Sequence, residues 1–301
     1  MSQSSQNIDQ FFESYRGKEV FFRPNPGNAG DALIGLSAIQ LLEKYGIQYK
    51  IADDSTDLTG QILFYSGGGN LTKYYSHCAK FIQKWKTRLK EFVLLPHTVN
   101  SHSELLSSLT GQVSIFCREY ETYDYVRNFA NLKSVYLTHD LAFRLNFEDE
   151  LVRHNSPNIL MQISPPKTVI KALVKKVKSP KFFMRRIDSS KTLNAFREDV
   201  ESAGRDLPKN NIDLSHWCNQ KVEMESKAII KESAIRLVST INKFDRICTD
   251  RLHIAIAAAK LNKDVDFYNN SYNKNKNVYD YSMKGIFPKV VWKGNHIQAS
   301  P

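Results

Sequence analysis

The sequence predicts an α/β protein in which two units, each with a mostly parallel sheet, enclose a central cleft. Apolar strand-like runs alternate with segments of helical periodicity, which is typical of parallel sheets. A strongly basic stretch interrupts this pattern, which then begins again, and polar or glycine-rich loops follow several predicted strands. Because open parallel sheets bind ligands at the carboxyl ends of their strands, we expect the functional site in the cleft.

Composition excludes several classes of protein. The chain has 301 residues, of which 42% are hydrophobic and 24% charged, as in globular proteins rather than disordered or collagen-like ones. No apolar run approaches the ~20 residues of a membrane span, and the N-terminus lacks the apolar core of a secretory signal. The four cysteines are far apart, so we expect reduced, buried thiols in a cytoplasmic protein rather than disulfides or a zinc site.

The predicted elements divide into two sets. The predicted strands of the first set are Glu19–Arg23, Tyr49–Ala52, Gln61–Tyr65, Glu91–Leu95, Val113–Cys117 and Ser134–Leu137. Its predicted helices are Ala32–Tyr45, Leu71–Lys90 and Glu119–Phe129. The second set has predicted strands Lys181–Ile187, Asp245–Cys248 and Val265–Tyr268 and predicted helices Val222–Ile241 and Arg251–Lys260. We therefore expect domains at 1–150 and 181–301, joined by a basic linker at 151–180.

The net charge of +11 is concentrated in one segment. Residues 167–191 contain nine basic residues and one acidic residue, which accounts for eight of the eleven charges. Prolines on both sides permit an amphipathic helix over 167–179. Such a helix could be a linker packed on its own protein, or it could contact an anionic membrane. Nucleic-acid binding is disfavoured because no recognition motif accompanies the charge.

Three loops of the first half carry candidate site residues. Asp31 ends the loop Asn25–Asp31, where it could cap the next helix or orient and deprotonate a hydroxyl. The turn Ser66–Asn70 has three consecutive glycines and could be a plain turn or an amide-lined pocket for oxyanions or sugar hydroxyls. It matches neither the dinucleotide nor the P-loop pattern. His97, in the third loop, is as compatible with a structural role as with a catalytic one.

Arg118 stands at the end of an apolar predicted strand. A charge there is costly unless it leaves the core or is paired. Its guanidinium could bind a carboxylate or phosphate with two hydrogen bonds, or it could pair with Glu119 or Asp140.

The second half places basic residues at a helix start. Thr249 or Asp250 could cap this helix, with Arg251 and His253 in its first turn. Positive charge at that end opposes the helix dipole, so an anion bound there would account for it. Histidine is also a natural proton donor near neutral pH. Further on, Lys274 lies in a polar segment that we expect to be a flexible loop, either solvated or in contact with phosphate.

The spacing of histidines and cysteines in the sequence predicts neither a metal site nor a redox site. No histidine pair has metal-ligand spacing and no CxxC occurs, so we expect neither a metal nor a cofactor.

Seven motifs in order resemble the polysaccharide pyruvyl transferase family. They are GNAGD, SGGGN, LPHT, FCREYE, THDLAF, TDRLHIAIAAA and NNSYNKN, within residues 23–281. The resemblance implies a GT-B-like pair of Rossmann-like domains. It also implies transfer of a pyruvyl group from phosphoenolpyruvate to two hydroxyls of a sugar. The product would be a ketal on an exopolysaccharide, capsule or cell-wall glycan precursor, often lipid-linked. The enzyme alternative is a GT-B-type glycosyltransferase that uses a nucleotide sugar, which shares this architecture.

The resemblance also implies donor-side roles. Arg118, Arg251 and His253 match directly, and Lys274 matches less directly. Arg251 and Lys274 would hold the phosphate, and Arg118 would hold either acidic group of phosphoenolpyruvate. His253 would protonate the methylene carbon.

On the acceptor side, Asp31 or Glu119 would be the base for the hydroxyls. The loops with Asn28, Gly68 and Asn70 would line the acceptor pocket. The expected partners are phosphoenolpyruvate and a sugar or lipid-linked oligosaccharide. Contact between residues 167–179 and an anionic membrane would place the protein at the inner face of the cell membrane.

Overall fold

The computed structural model describes residues 8–132, 134–147, 191–219 and 224–295. Within them the strands form two sheets in which neighbouring strands run parallel. The α/β class with mostly parallel sheets is therefore confirmed. The predicted helix 167–179, the predicted strand Lys181–Ile187 and the predicted linker 151–180 lie outside the described residues.

The first sheet has the strand order β2-β1-β3-β5-β6-β7, with β4 beside β5. Its strands are β1 (Glu19–Arg23), β2 (Gln48–Ile51), β3 (Ile62–Tyr65), β4 (Gly68–Leu71), β5 (Glu91–Val99), β6 (Val113–Cys117) and β7 (Val135–Leu137). The helices of this half are α1 (Ile8–Glu13), α2 (Ala29–Lys44), α3 (His77–Trp85), α4 (Ser103–Ser107) and α5 (Tyr120–Phe129), and a 3₁₀ turn covers Leu141–Arg144.

The second sheet has the order β11-β10-β9-β8. Its strands are β8 (Thr192–Asn194), β9 (Arg246–Thr249), β10 (Asp264–Tyr268) and β11 (Val290–Gly294). The helices are α6 (Leu214–Trp217), α7 (Lys227–Asn242), α8 (Leu252–Lys260) and α9 (Lys274–Ser282).

One hydrophobic core connects the two sheets. Helix α2 packs on α7 and α8, and their buried side chains join one face of the first sheet to strands β9 and β10 in a single cluster. Gly35 of α2 lies at this contact, where a Cβ would be in ordinary contact with Cγ2 of Ile230 on α7, at 3.4 Å. A second cluster fills the other face of the first sheet, beneath α3 and α5. The shared helical layer holds the carboxyl ends of both sheets in a fixed relation.

The largest differences from the sequence predictions lie around the glycine turn and the strand beside it. The turn Ser66–Asn70 contributes strand β4, and the predicted helix Leu71–Lys90 shortens to α3. Strand β5 continues through Pro96 to Val99, so His97 lies in a strand and not in a loop. Because Pro96 has no N–H to donate, the pairing of β5 with β6 shifts register at this point.

The sequence prediction lacked β8, β11, α1, α4, α6 and α9. The segment expected to be a flexible loop is helical from Lys274 onwards. The cysteine expectation is confirmed for the thiols, all four of which are free; three are buried and Cys248 is partly buried.

Among the described residues, no helix combines the length and apolar character that crossing a membrane requires.

Replacement of Ile230 by alanine tests the shared core. The side chain is fully buried between α7 and α2, so we expect Ile230→Ala to lower the free energy of unfolding by about 2–5 kcal/mol. The matched control is Ile286→Ala, because Ile286 is 61% exposed and its loss should change stability by less than about 0.5 kcal/mol. Denaturation monitored by circular dichroism measures both. Equal effects would contradict a core that depends on the α2–α7 contact.

Candidate functional site

Arg118, Asp140 and His253 bring the two halves of the protein together. Arg118 follows β6, Asp140 follows β7, and His253 lies in the first turn of α8. Arg118 donates from Nη1 to Oδ2 of Asp140 at 2.7 Å and from Nε to Oγ1 of Thr98 at 2.8 Å. His253 Nε2 lies 3.5 Å from both Asp140 Oδ2 and Arg118 Nη1. An imidazole and a guanidinium therefore lie against one carboxylate.

The shared carboxylate is ionised. Asp140 is 0% exposed, and burial alone would favour its neutral form. The hydrogen-bonding proximity of His253 and the charge of Arg118 outweigh burial and hold the pKa of Asp140 well below its ordinary value. Of the two partners that the sequence allowed for Arg118, the structure selects Asp140.

Glu119 faces away from this group. It is the N-cap of α5, where one carboxylate oxygen accepts from the backbone N–H of Thr122 at 2.8 Å and the other from the Thr122 hydroxyl. Burial raises the pKa of Glu119. The carboxylate is thus used in capping the helix.

His253 lies against the start of α2. A Cβ on Gly30 would lie 2.7 Å from Nδ1 of His253, so only glycine allows this approach without displacement. Asn28 caps the same helix by accepting from the Gly30 N–H at 2.9 Å. The loop of the first half therefore positions the histidine of the second half.

Arg118 and Lys274 converge beside Gly69. A Cβ on Gly69 would lie 3.1 Å from Nη2 of Arg118 and 3.9 Å from Nζ of Lys274. Among the described residues, Nη2 of Arg118 makes no hydrogen bond. Two cations from different sheets repel each other at this spacing, and an anion placed between them would stabilise both.

Glu201 holds Lys274 in place. Its carboxylate oxygens accept from Nζ of Lys274 at 2.9 and 3.1 Å, and it also binds Arg197 and the hydroxyl of Tyr272. Burial lowers the pKa of Lys274 to about 8; Glu201 opposes this shift, and the charges of Arg197 and Arg118 add to it. Lys274 is therefore charged at neutral pH and loses its charge in mildly alkaline solution.

Arg251 has protein carboxylates as partners. It binds both oxygens of Asp213 and also lies 2.9 Å from Asp199. Arg251 is itself the N-cap residue of α8, so the expected caps, Thr249 and Asp250, are wrong, although the Thr249 hydroxyl accepts from its N–H. The positive charge of Arg251 opposes the dipole at this helix start, but the carboxylates of Asp199 and Asp213 offset it. A bound anion is therefore not required to explain it.

Asp199 and Asp213 also approach His216, and the ligand atoms of the three lie within 4.8 Å of one another. Both carboxylates already bind Arg251, which supplies the positive charge that a metal would otherwise bring.

Asp31 lies at the centre of a polar network on the first sheet. It occupies the third position of α2 and completes a capping box, in which Oδ2 accepts from the Asn28 N–H at 2.9 Å. Its Oδ1 accepts from the side-chain amide of Asn25 at 2.8 Å. The N-cap of α2 is therefore Asn28, and Asp31 completes the capping box. Gly27, at φ +157°, permits this turn because a Cβ there would overlap the Asp31 carboxylate.

Gly68 and Asn70 lie on the other side of Asn25. The Asn70 amide binds Asn25 and also hydrogen-bonds through Oδ1 with Nε2 of His97 at 2.9 Å. A Cβ on Gly68 would lie 2.5 Å from the Asn25 amide. Burial, followed by the charge of Arg118, lowers the pKa of His97 to about 3, so His97 is neutral and structural.

The structure therefore brings most sequence-predicted residues into two adjoining groups. Arg118, His253 and Lys274 form the first group, with Asp140, Glu201, Arg197 and Gly69 as its supporting residues. Asp31, Asn28, Gly68 and Asn70 form a polar group connected through Asn25, which the sequence reasoning missed as a member. Arg251 lies among carboxylates, and Glu119 caps a helix.

The missed residues had few signals in the sequence. Asp140 stands in the motif THDLAF, and the sequence predicts for it only a pairing with Arg118. Arg197 and Glu201 are four residues apart but lie in an irregular segment, so spacing alone did not place them on one face.

Comparisons with known proteins identify a matching family and a similar fold. The family model described as polysaccharide pyruvyl transferase matches residues 28–272. A crystal structure of a functionally uncharacterised protein from Klebsiella pneumoniae superposes with a TM-score of 0.74 and 28% sequence identity. The alignment covers 97% of this chain and 99% of that one. No curated protein sequence gives a significant match.

The pKa of Lys274 predicts how anion binding depends on pH. Sulfate keeps its charge between pH 6 and 10, whereas Lys274 loses its proton as the pH rises through about 8. We expect sulfate affinity, measured by calorimetry, to fall about tenfold between pH 7 and pH 9. Lys274→Arg, which stays charged, should abolish this decrease. A flat profile for the wild type, or the same decrease in Lys274→Arg, would contradict the assignment.

Proposed function

The chain belongs to the polysaccharide pyruvyl transferase family, and on that premise we propose that it transfers a pyruvyl group from phosphoenolpyruvate to two hydroxyls of a sugar. One observation carries the proposal: Arg118 and Lys274 converge beside Gly69 while His253 lies 3.5 Å from Arg118. Phosphoenolpyruvate has the complementary form, because two anionic groups flank the double bond that must be protonated.

In this proposal, the free Nη2 of Arg118 and the ammonium of Lys274 bind the acidic groups of the donor. Charge-assisted hydrogen bonds of this kind are the strongest that neutral solution allows. Arg251 has a supporting role, because Asp199 and Asp213 already occupy its guanidinium. It fixes the acidic loop that precedes α6 and thereby the network around Glu201.

The reaction then proceeds in two additions. His253, as an imidazolium, gives a proton to the methylene carbon, and positive charge develops at the neighbouring carbon. One sugar hydroxyl attacks that carbon and forms the first C–O bond, and the bond to phosphate breaks. The second hydroxyl forms the second C–O bond. Of the two hydroxyl protons, one restores His253 and the other leaves with phosphate, so the products are the ketal and inorganic phosphate.

Asp31 is the better candidate for the base that assists the hydroxyls. Its carboxylate lies beside Gly68 and on the same helix start as Gly30, which contacts His253. The other candidate, Glu119, binds Thr122 through both oxygens. Both oxygens of Asp31 also accept hydrogen bonds, so it is the position of Asp31 beside Gly68 and Gly30 that favours it. Asn28, Gly68 and Asn70 would line the acceptor side, around the Asn25 network.

The finer architecture and location are also proposals. We assign 1–150 and 181–301 to two Rossmann-like domains in a GT-B-like arrangement, supported by the two parallel sheets on a shared helical layer. The acceptor would be a sugar or lipid-linked oligosaccharide of an exopolysaccharide, capsule or cell-wall glycan. The protein would act in the cytoplasm, with residues 167–179 at the inner membrane face. That placement depends on the charge of the sequence alone. No cofactor or metal takes part in the proposed steps.

Replacement of His253 tests the proposed reaction. The protein is incubated with phosphoenolpyruvate and a panel of simple, nucleotide-linked and lipid-linked sugars. Phosphate release is recorded, and mass spectrometry detects a gain of one pyruvyl ketal. We expect His253→Ala to lower turnover by ~10²–10⁴-fold because the proton donor is lost.

Two outcomes would contradict this function. One is nearly full turnover by a folded His253→Ala variant. The other is stabilisation against heat by nucleotide sugars and not by phosphoenolpyruvate, which would favour the glycosyltransferase alternative.

Two glycines of α2, Gly30 and Gly35, allow a test of the position of His253 in which the histidine itself is not replaced. Gly30→Ala places a methyl group 2.7 Å from Nδ1 and should displace the imidazole, whereas Gly35→Ala makes only an ordinary contact 3.4 Å from Ile230. Alanine favours both helix positions by about 0.5–1 kcal/mol, so neither variant should unfold. We expect a large loss of phosphate release for Gly30→Ala only. Equal activity of the two variants would show that the His253 position is not critical.

A further inference from the structure

Tyr120 is an exposed aromatic residue at the edge of the candidate site. It is the first residue of α5, two positions after Arg118, and it is 51% exposed. Two residues span at most about 7 Å of extended chain, so its backbone lies beside that of the central arginine. Among the described phenylalanine, tyrosine and tryptophan residues, only Tyr120 and Phe129 are exposed, and Phe129 lies at the far end of the same helix.

The ring of Tyr120 packs against a second tyrosine ring. Tyr281 of α9 packs edge-on against it, with centroids 5.1 Å apart and an interplanar angle of 75°. His139 stacks on Tyr281 at 4.7 Å and hydrogen-bonds to Ser282. Because Tyr281 packs against the ring and is itself stacked on His139, the exposed ring offers an apolar surface to solvent at little cost in side-chain entropy.

We propose that Tyr120 forms a sugar-binding subsite, on which one pyranose ring of the acceptor stacks. This inference rests on the proposed function and names a recognition element for its acceptor. A pyranose has an apolar face of C–H groups and a rim of hydroxyls. The face packs on the tyrosine ring, and the rim remains available to the polar side chains around it.

The surroundings favour a sugar over a protein partner. Among the described residues, the other exposed large apolar side chains are Phe129 at the far end of α5, Val291 in β11, and Val200 and Ile286 outside helices and strands. An isolated, rigid ring beside buried charged groups resembles a small-ligand subsite more than a protein interface, which requires a continuous apolar patch.

Saturation-transfer NMR tests the subsite with methyl glycosides and disaccharides of glucose, galactose and mannose as probes. We expect at least one probe to receive saturation from the wild type, and Tyr120→Ala to weaken its binding about tenfold, as the loss of an aromatic contact implies. Tyr120→Trp should retain binding. The matched control is Phe129→Ala, which removes an exposed ring from the same helix and should leave binding unchanged.

Phosphoenolpyruvate affinity, measured separately by calorimetry, should be the same in all of these variants. Saturation of none of the probes by the wild type, or equal binding by wild type and Tyr120→Ala, would overturn the subsite. Loss of sugar binding in Phe129→Ala to the same degree would also overturn it. Failure of the proposed function is distinguishable, because then the wild type itself would not bind phosphoenolpyruvate.

Discussion

The buried ion pair between Arg118 and Asp140 is the interaction on which the site depends. Both side chains are nearly inaccessible to solvent, at 1% and 0%, and burial of such charges is costly unless each is paired and hydrogen-bonded. Thr98 satisfies Nε of the guanidinium, and the backbone N–H of Ala142 satisfies the second carboxylate oxygen. The pair therefore fixes the direction of Nη2 towards Gly69, and through Asp140 it also places His253. Loss of either partner would disturb the binding group and the proton donor together.

The remaining charges alternate around this pair. Glu201 lies between Lys274 and Arg197, and Asp199 lies between Arg197 and Arg251. Such a network holds several cations close together without an external anion, because the carboxylates between them neutralise most of their charge. What stays available is the end that faces Gly69, where Arg118 and Lys274 repel each other across a short gap. A donor with two acidic groups relieves that repulsion, which explains how a neutralised network can still favour an anionic substrate.

The sequence predicted the α/β class, most strands of the first sheet and the residue types of the site, because apolar alternation and strand-end polar loops are local signals. It could not predict that Arg251 would meet Asp213, since that pairing joins residues 38 positions apart with α6, α7 and β9 between them. The glycines show the same limit. The glycine turn predicts a plain turn or an amide-lined pocket, but only the fold shows that Gly30 makes room for His253 and Gly69 for Arg118. The sequence places Lys274 in a loop because its polar neighbours carry no helical periodicity, whereas in the fold α9 packs against α5, where Asn277 hydrogen-bonds to Glu121.

In the proposed site, Arg118 and Lys274 bind the donor and His253 transfers the proton. The affinity for phosphoenolpyruvate tests this division of roles most directly. Calorimetry of Lys274→Gln and His253→Ala measures it without any acceptor. Loss of a charge-assisted contact of about 1.5–3 kcal/mol predicts an affinity at least about tenfold weaker in Lys274→Gln. His253→Ala should bind phosphoenolpyruvate nearly as well as the wild type, because its contribution comes after binding. Unchanged affinity in Lys274→Gln, or an equal loss in both variants, would contradict the account.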